Sequence, residues 1–201
     1  MSAAYPPRHY DEPRRAEHLR LMRERPLATF VVADDAGQPY VTPVPLVLAK
    51  APPGPDAGDV PLQLLGHLDA NNPAAAWVGD GRAAVAVFHG RSAYISPDDY
   101  HSRQLPTYNY EQVHVHGTLE RVTDPARVTA DLHALVVAME GPDGWRLRDD
   151  DARVPALLPH VVAFRLHVER VDGRYKLSQD KRADDRAAAD EKLARSCPAG
   201  W

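Results

Sequence analysis

From Gln112 to Val122 apolar and polar side chains alternate: Val113, Val115 and Leu119 fall on one side, and His114, His116, Thr118 and Glu120 on the other. A period of two is that of a β-strand with one face in a core. The pattern returns near the C-terminus, where Val162, Phe164, Leu166 and Val168 point inward and Arg165, His167 and Glu169 outward. Each such strand must find partners for its backbone and cover for its apolar face, and this requirement constrains the fold more than any other feature of the chain.

Candidate partners are close by in the sequence. Leu27–Ala33 is a β-rich run ended by Asp34-Asp35-Ala36-Gly37, and a second strand from Tyr40 to Leu48 completes a hairpin. Pro43 and Pro45 lie within that second strand, so it is expected at a sheet edge or with a bulge. Leu62–His67 is a further strand, Ala83–Phe88 an apolar strand expected to be buried on both faces, and a short strand runs from Gly90 to Ile95. Ser96–Tyr110 reads as irregular and aromatic-rich, and Asp172-Gly173 as a hairpin turn. Helices are expected over Pro13–Arg25, on an Ala16, Leu19, Leu21 and Met22 stripe, and as a short piece over Asn71–Val78 with Pro73 in its first turn. Another follows the Val128, Leu132, Leu135, Val136 and Met139 stripe.

Strands outnumber helices and connections are short, so the expected class is mainly β with peripheral helices (α+β), an antiparallel small barrel. With 201 residues and 44% hydrophobic content the chain reads as one domain, residues 1–201. Residues 1–26 supply an N-terminal helix, residues 51–61 a Pro/Gly/Asp loop and residues 181–201 a charged, alanine-rich tail expected to be helical.

The formal net charge of −4 gives no basic face for phosphate neutralisation, so DNA is not the expected partner. No apolar run is long enough to span a bilayer, and a membrane is not expected either. A single cysteine, Cys197, excludes an internal disulfide and a cysteine-cluster metal site; the cytoplasm is the expected compartment.

Several stretches carry chemistry that scaffolding does not require. In Gly66-His67-Leu68-Asp69-Ala70-Asn71-Asn72-Pro73 a histidine ends a strand just before a helix start, placed either to ligate a metal or haem or to hydrogen-bond that helix. Tyr94-Ile95-Ser96-Pro97 and Pro106-Thr107-Tyr108-Asn109-Tyr110 interleave aromatics with hydroxyl and amide groups, which suits the wall of a planar ligand's pocket. His114 and His116 share one strand face but lack an evident third ligand, so surface or interface packing is the simpler reading. Lys176-Leu177-Ser178-Gln179 brings a cation and two hydrogen-bonding groups to a strand end.

In order, Tyr5-Pro6-Pro7 with His9, Gly66-His67 with Asn71-Asn72-Pro73, Tyr94-Ile95-Ser96-Pro97, Pro106-Thr107-Tyr108-Asn109-Tyr110, Val113-His114-Val115-His116-Gly117 and Lys176-Leu177-Ser178-Gln179 resemble the motifs of the PaiB family of FMN-binding negative transcriptional regulators. The resemblance implies a split β-barrel of the FMN-binding-barrel kind and a homodimer with cofactor sites between subunits. Departures are specific. Tyr108 stands where the family has tryptophan, the stretch from Tyr100 to Pro106 is short with Arg103 the nearest substitute for a lysine many relatives carry there, and Val41-Thr42-Pro43-Val44-Pro45 stands where the regulators tend to show a histidine before Leu-Pro. These departures make the chain similar to the family's haem-dependent piperazate synthase branch.

For that branch the resemblance implies haem b in place of FMN, with His67 as the iron's proximal ligand. The substrate is a hydroxylated ornithine: N5-hydroxy-L-ornithine closes its N–N bond to give L-piperazic acid, with the iron as Lewis acid. Lys176 would reach the distal side, with Tyr108 and His114 as further catalytic candidates and His116 beside them. Asn71, Ser96, Asn109, Tyr110, Ser178 and Gln179 would line the cofactor. The alternatives are a flavin-binding regulator or oxidoreductase, with Asn71 near the phosphate, and a cofactor-free binding module whose motifs pack a dimer.

Overall fold

The computed structural model describes residues 10, 14–49, 62–79, 81–148, 151 and 153–196. His9, the loop over residues 51–61 and Cys197 lie outside the described residues. Helix α1 (Arg15–Glu24) leads into β1 (Leu27–Ala33), β2 (Pro39–Pro45), β3 (Val47–Leu48) and β4 (Gln63–Asp69). A 3-10 turn over Pro73–Trp77 precedes β5 (Ala83–Ile95), and β6 (Thr107–Arg121) follows a second such turn at Pro97–Asp99. Then come α2 (Pro125–Glu140), α3 (Arg153–Leu157), β7 (Val161–Lys176) and α4 (Ala183–Ser196).

The strands form one sheet in the order β2-β1-β5-β6-β7-β4-β3, and every pair is antiparallel. Its two outermost strands, β2 and β3, are joined by a single residue, Leu46, which is buried and donates its N–H to Pro26 O at 2.8 Å. A sheet whose ends are one residue apart in the chain must curl round on itself, so the expected barrel is present. Phe30, Leu46, Phe88, Val113, Val115, Phe164 and Leu166 fill its interior as one cluster. The proline-bearing β2 lies at a sheet edge, where a missing N–H breaks no ladder.

Both alternating runs are strands with the expected faces inward, although Val168 is only half-buried. Five expectations need correction. Ala83–Phe88 and the short strand after it are one thirteen-residue strand bent at a bulge between His89 and Ser92. That strand is buried on its inner face alone; Val85 and Val87 are half-buried. Thr107–Tyr110 is the start of β6, not irregular chain. Met139 is exposed, and Asp131 takes a buried place on α2 through Arg165, whose Nη2 donates to Asp131 Oδ1 at 2.7 Å.

The fifth correction concerns Asp172-Gly173. These residues lie inside β7, paired with His114 and Val113. A two-residue turn needs positive φ at its glycine, which Gly173 does not have. The residues on both sides pair with β6, Val171 with Val115 and Arg174 with Gln112, so the ladder holds the strand straight through. The bend falls instead at Gly117, where a Cβ would stand 2.0 Å from the carbonyl oxygen of His167. Only glycine lets the two strands pass there.

Two helices cover the outer faces that matter most. Leu135 of α2 packs on Leu65 and Val47, while Ala189 and Leu193 of α4 pack on Ala93, Ile95 and Tyr100. Among the described residues no helix is long and apolar enough to cross a membrane.

Candidate functional site

The motif residues separate into two groups. The first is at the end of β4. Gly66 faces the barrel interior, where a Cβ would meet Leu46 Cδ2 at 2.5 Å, so strand alternation turns His67 outward. Its ring is exposed, and among the described residues none hydrogen-bonds to it. The protein mass around it nevertheless strips hydration from the charged form and holds its pKa below the ordinary value. The result is a neutral imidazole with unused nitrogens.

The turn that follows is built by its own side chains. Asp69 Oδ1 accepts from Asn71 N at 2.7 Å and from Asn71 Nδ2 at 2.9 Å, and these bonds hold the Asp69 carboxyl below its ordinary pKa. Asn72 caps the 3-10 turn by accepting from Ala74 N at 3.0 Å and donates to Thr42 Oγ1 at 3.2 Å. Asn71 therefore spends its N–H groups on the turn and keeps its amide oxygen for other contacts.

The second group gathers where β6 begins and β7 ends. Ser178, in the left-handed region at φ 59°, is the hub. Its Oγ lies 3.0 Å from Asn109 Nδ2 and 3.2 Å from the Tyr100 hydroxyl, all three residues being buried. Gln179 folds back to accept from Leu177 N at 2.6 Å and donates to Tyr175 O. These contacts fix the chain reversal that carries Lys176, whose Nζ donates to Thr107 Oγ1 and lies 5.9 Å from the centre of the Tyr10 ring. A cavity of about 200 Å³ opens here between Tyr10, Leu105, Pro106, Thr107, Lys176 and Ser178, with Asp180 and Lys181 at its edge. Burial and the nearby Asp180 push the Tyr10 phenol up. Asn109 and Gln179, expected as cofactor contacts, are thus occupied with protein partners, while Ser178 both holds the reversal and lines the cavity.

Tyr110 stands opposite Lys176 in the ladder, and Tyr108 opposite Tyr94; the latter two are 53% and 55% exposed and form an open aromatic shelf. Ser96 caps the turn before the loop: its N–H donates to Asp99 Oδ2 at 2.8 Å and its hydroxyl accepts from Asp98 N at 3.3 Å. His114 lies farther along β6, its Nε2 3.3 Å from Gln112 Oε1, with its pKa lowered first by burial and then by Arg174. His116 Nε2 lies 3.5 Å from Asp172 Oδ2. Among the described residues no group of three or more His, Cys, Asp or Glu could hold a metal ion.

Along β7 these two groups stand at opposite ends. His67 pairs with Ala163 near the start of β7, and Lys176 ends that strand thirteen residues later. At about 3.3 Å per residue this is roughly 40 Å of strand path. Sequence reading also passed over Asp185, buried in the first turn of α4 within the charged tail, although Asp185, Ala189 and Leu193 recur at four-residue spacing on one helix face.

Comparison with known proteins agrees with this architecture. The family model described as "Putative FMN-binding domain" matches residues 4–170. "Protease synthase and sporulation protein PAI 2" of Bacillus subtilis (strain 168) is 28% identical over 188 residues, covering 90% of this chain and 84% of that protein. Among solved structures, the FAD and haem binding protein from Mycobacterium smegmatis aligns with a TM-score of 0.62 at 19% identity, over 96% of this chain and 81% of that one. The flavocytochrome Anf3 from Azotobacter vinelandii aligns with a TM-score of 0.61 at 15% identity, over 89% and 75%. These two likenesses speak for the fold, and the family match over most of the chain for the lineage: the chain belongs to the PaiB-like FMN-binding family of split-barrel proteins.

Proposed function

We propose that the chain works as a homodimer that holds FMN between its subunits and carries out flavin-dependent oxidoreduction. The observation that carries this reading is the separation of the two polar groups along β7. A planar cofactor that touches both the His67 and the Lys176 groups needs one from each of two copies. The outer sheet face offers a place for the second copy: Val41, Val31 and Val85 stand in one row across β2, β1 and β5, with Val87 beside them. Val41 is 56% exposed in the single chain.

The residues fit the cofactor. Lys176 Nζ and the Thr107 hydroxyl supply a cation and a polar group for a phosphate at the 200 Å³ cavity. The shelf of Tyr94 and Tyr108 offers flat apolar surface to a ring. FMN, when bound, supplies hydride or single-electron transfer. The protein's part is to orient the ring, exclude water by dimer closure and present His67 as a neutral proton acceptor. The net charge of −4 weighs against direct DNA reading.

A second reading has its own observation: His67 is a neutral imidazole whose ring nitrogens no described residue occupies, so one of them is free for iron, as in a haem ligand. On this reading the chain is a haem-dependent piperazate synthase: the α-amine of N5-hydroxy-L-ornithine would attack the δ-nitrogen, the N–N bond forming as the hydroxylamine N–O bond breaks and the oxygen leaves, with the amine proton, as water. Haem iron, when bound, supplies a Lewis acid for the hydroxylamine oxygen. Lys176 would exchange a proton with the substrate, and Tyr108 and Tyr110 would confine its flexible chain. The two fold neighbours described by name as binding haem or as a flavocytochrome support a barrel of this kind accepting haem.

The absorption spectrum of the protein purified from cells replete in riboflavin and haem separates the readings. The expected result is the paired visible bands of a flavin. A Soret band with no flavin bands replaces this reading with the synthase, to be followed by turnover of N5-hydroxy-L-ornithine.

A further inference from the structure

The charged C-terminal helix hides a carboxylate with an unusual set of partners. Asp185, in the first turn of α4, is fully buried. Its Oδ1 accepts from His101 N at 2.7 Å and Ser102 N at 3.0 Å; its Oδ2 accepts from the Ser102 hydroxyl and from Gln104 Nε2 at 3.4 Å. All four donors belong to the loop between Tyr100 and Thr107. From His101 to Pro106, every hydrogen bond the loop makes to the rest of the described protein ends on this one side chain. The helix itself is firmly seated, with Ala189 and Leu193 fully buried against β5.

The loop leads directly to the candidate site. Leu105 and Pro106 form one wall of the cavity, and Thr107, the next residue, accepts the bond from Lys176 Nζ. Leu105 is 83% exposed, so packing does little to hold this stretch. Its position depends on the polar clasp.

We propose that Asp185 is a positioning residue for the Lys176 cavity: its carboxylate pins residues 101–104, and so sets the width of the cavity and the meeting of Thr107 with Lys176. The group fixed in this way suits the anionic end of a bound ligand, a phosphate or carboxylate held by Lys176. Helix α4 lies beyond residues 4–170, the part matched by the family model. Lys176 and Ser178 of the cavity lie beyond that region too, so the clasp and the cation it serves belong to the same C-terminal part of the chain. This inference rests on the reading of the cavity as part of the cofactor site.

The test compares wild type, Asp185→Asn and the conservative Asp185→Glu as full chains, using amide hydrogen exchange, the NMR signal of the Lys176 ammonium and FMN titration. In Asp185→Asn, exchange at His101 and Ser102 should quicken about tenfold or more while Val113–Leu119 keeps its protection. The Lys176 signal should broaden into solvent exchange, and the FMN dissociation constant should rise about tenfold. Asp185→Glu should recover part of each effect. Unchanged exchange at His101 and Ser102 overturns the clasp, and a loosened loop with unchanged FMN affinity overturns its positioning role. If wild type binds no FMN, the proposed cofactor fails. The Lys176 signal then decides the clasp, its loss in Asp185→Asn supporting the inference and its retention refuting it.

Discussion

Replacing Phe164 with alanine should lower the unfolding free energy by about 3–5 kcal/mol, as for other fully buried aromatics. Phe164 is 0% exposed and packs on Phe30 with ring centroids 5.3 Å apart. It also stands opposite Gly66 in the β4–β7 ladder, where its ring fills the space above a residue without a side chain. A glycine cannot swing inward to fill the void, and the paired backbones of both strands resist collapse. The cost therefore belongs at the upper end of the range. Urea unfolding monitored by circular dichroism should show a lower midpoint with an unchanged slope. A loss below about 1.5 kcal/mol would mean that the barrel interior repacks freely, contrary to this arrangement.

His67→Ala should affect the two candidate cofactors very differently. Haemin affinity should fall at least about a hundredfold, because a direct ligand counts for more than the outer partners whose loss already costs 10–100-fold. FMN affinity should change by less than about threefold, since the phosphate and ring contacts assigned to it lie on Lys176, Thr107 and the tyrosines. Parallel titrations by absorbance and by flavin fluorescence measure both. Comparable losses for the two ligands would mean that His67, and not Lys176 and the tyrosines, carries the main share of the flavin's binding.

The same variant carries a pH signature. Burial holds His67 below its ordinary value of 6.5, so below that pH the unfolded chain binds a proton that the folded chain resists. Stability due to His67 is present above pH 6.5 and declines as the pH falls through the depressed folded value. His67→Ala should remove this part of the acid loss.

Much of the barrel was legible because a half-buried strand writes its faces into the sequence. Val113, Val115 and Leu119 against His114, His116 and Thr118 could scarcely fold otherwise, and two prolines in β2 marked an edge. Asp172-Gly173 misled for a physical reason: turn propensity is local, whereas the ladder to Gln112–Val115 is long-range and supplies the hydrogen bonds that keep β7 extended. Thr107–Tyr110 looked irregular because its aromatics obscure the alternation, yet Asn109 points inward and Tyr108 and Tyr110 outward as in any strand.

The site was legible as a set of residues but not as a place. His67 and Lys176 both stood out by chemistry, and nothing in their spacing says that β7 carries them apart. Asn109 and Gln179 looked like ligand contacts because buried amides and ligand-binding amides have the same composition. Asp185 was lost among the charges of the tail, where only its four-residue spacing to Ala189 and Leu193 set it apart.

The most direct test of the central claim, a cofactor shared between two copies, is sedimentation equilibrium of the FMN-loaded protein followed at a flavin absorbance wavelength. The flavin signal should sediment at twice the mass of one chain, and diluting the protein until the dimer dissociates should release the flavin. Flavin that stays bound to a species of single-chain mass would contradict a site built from two subunits.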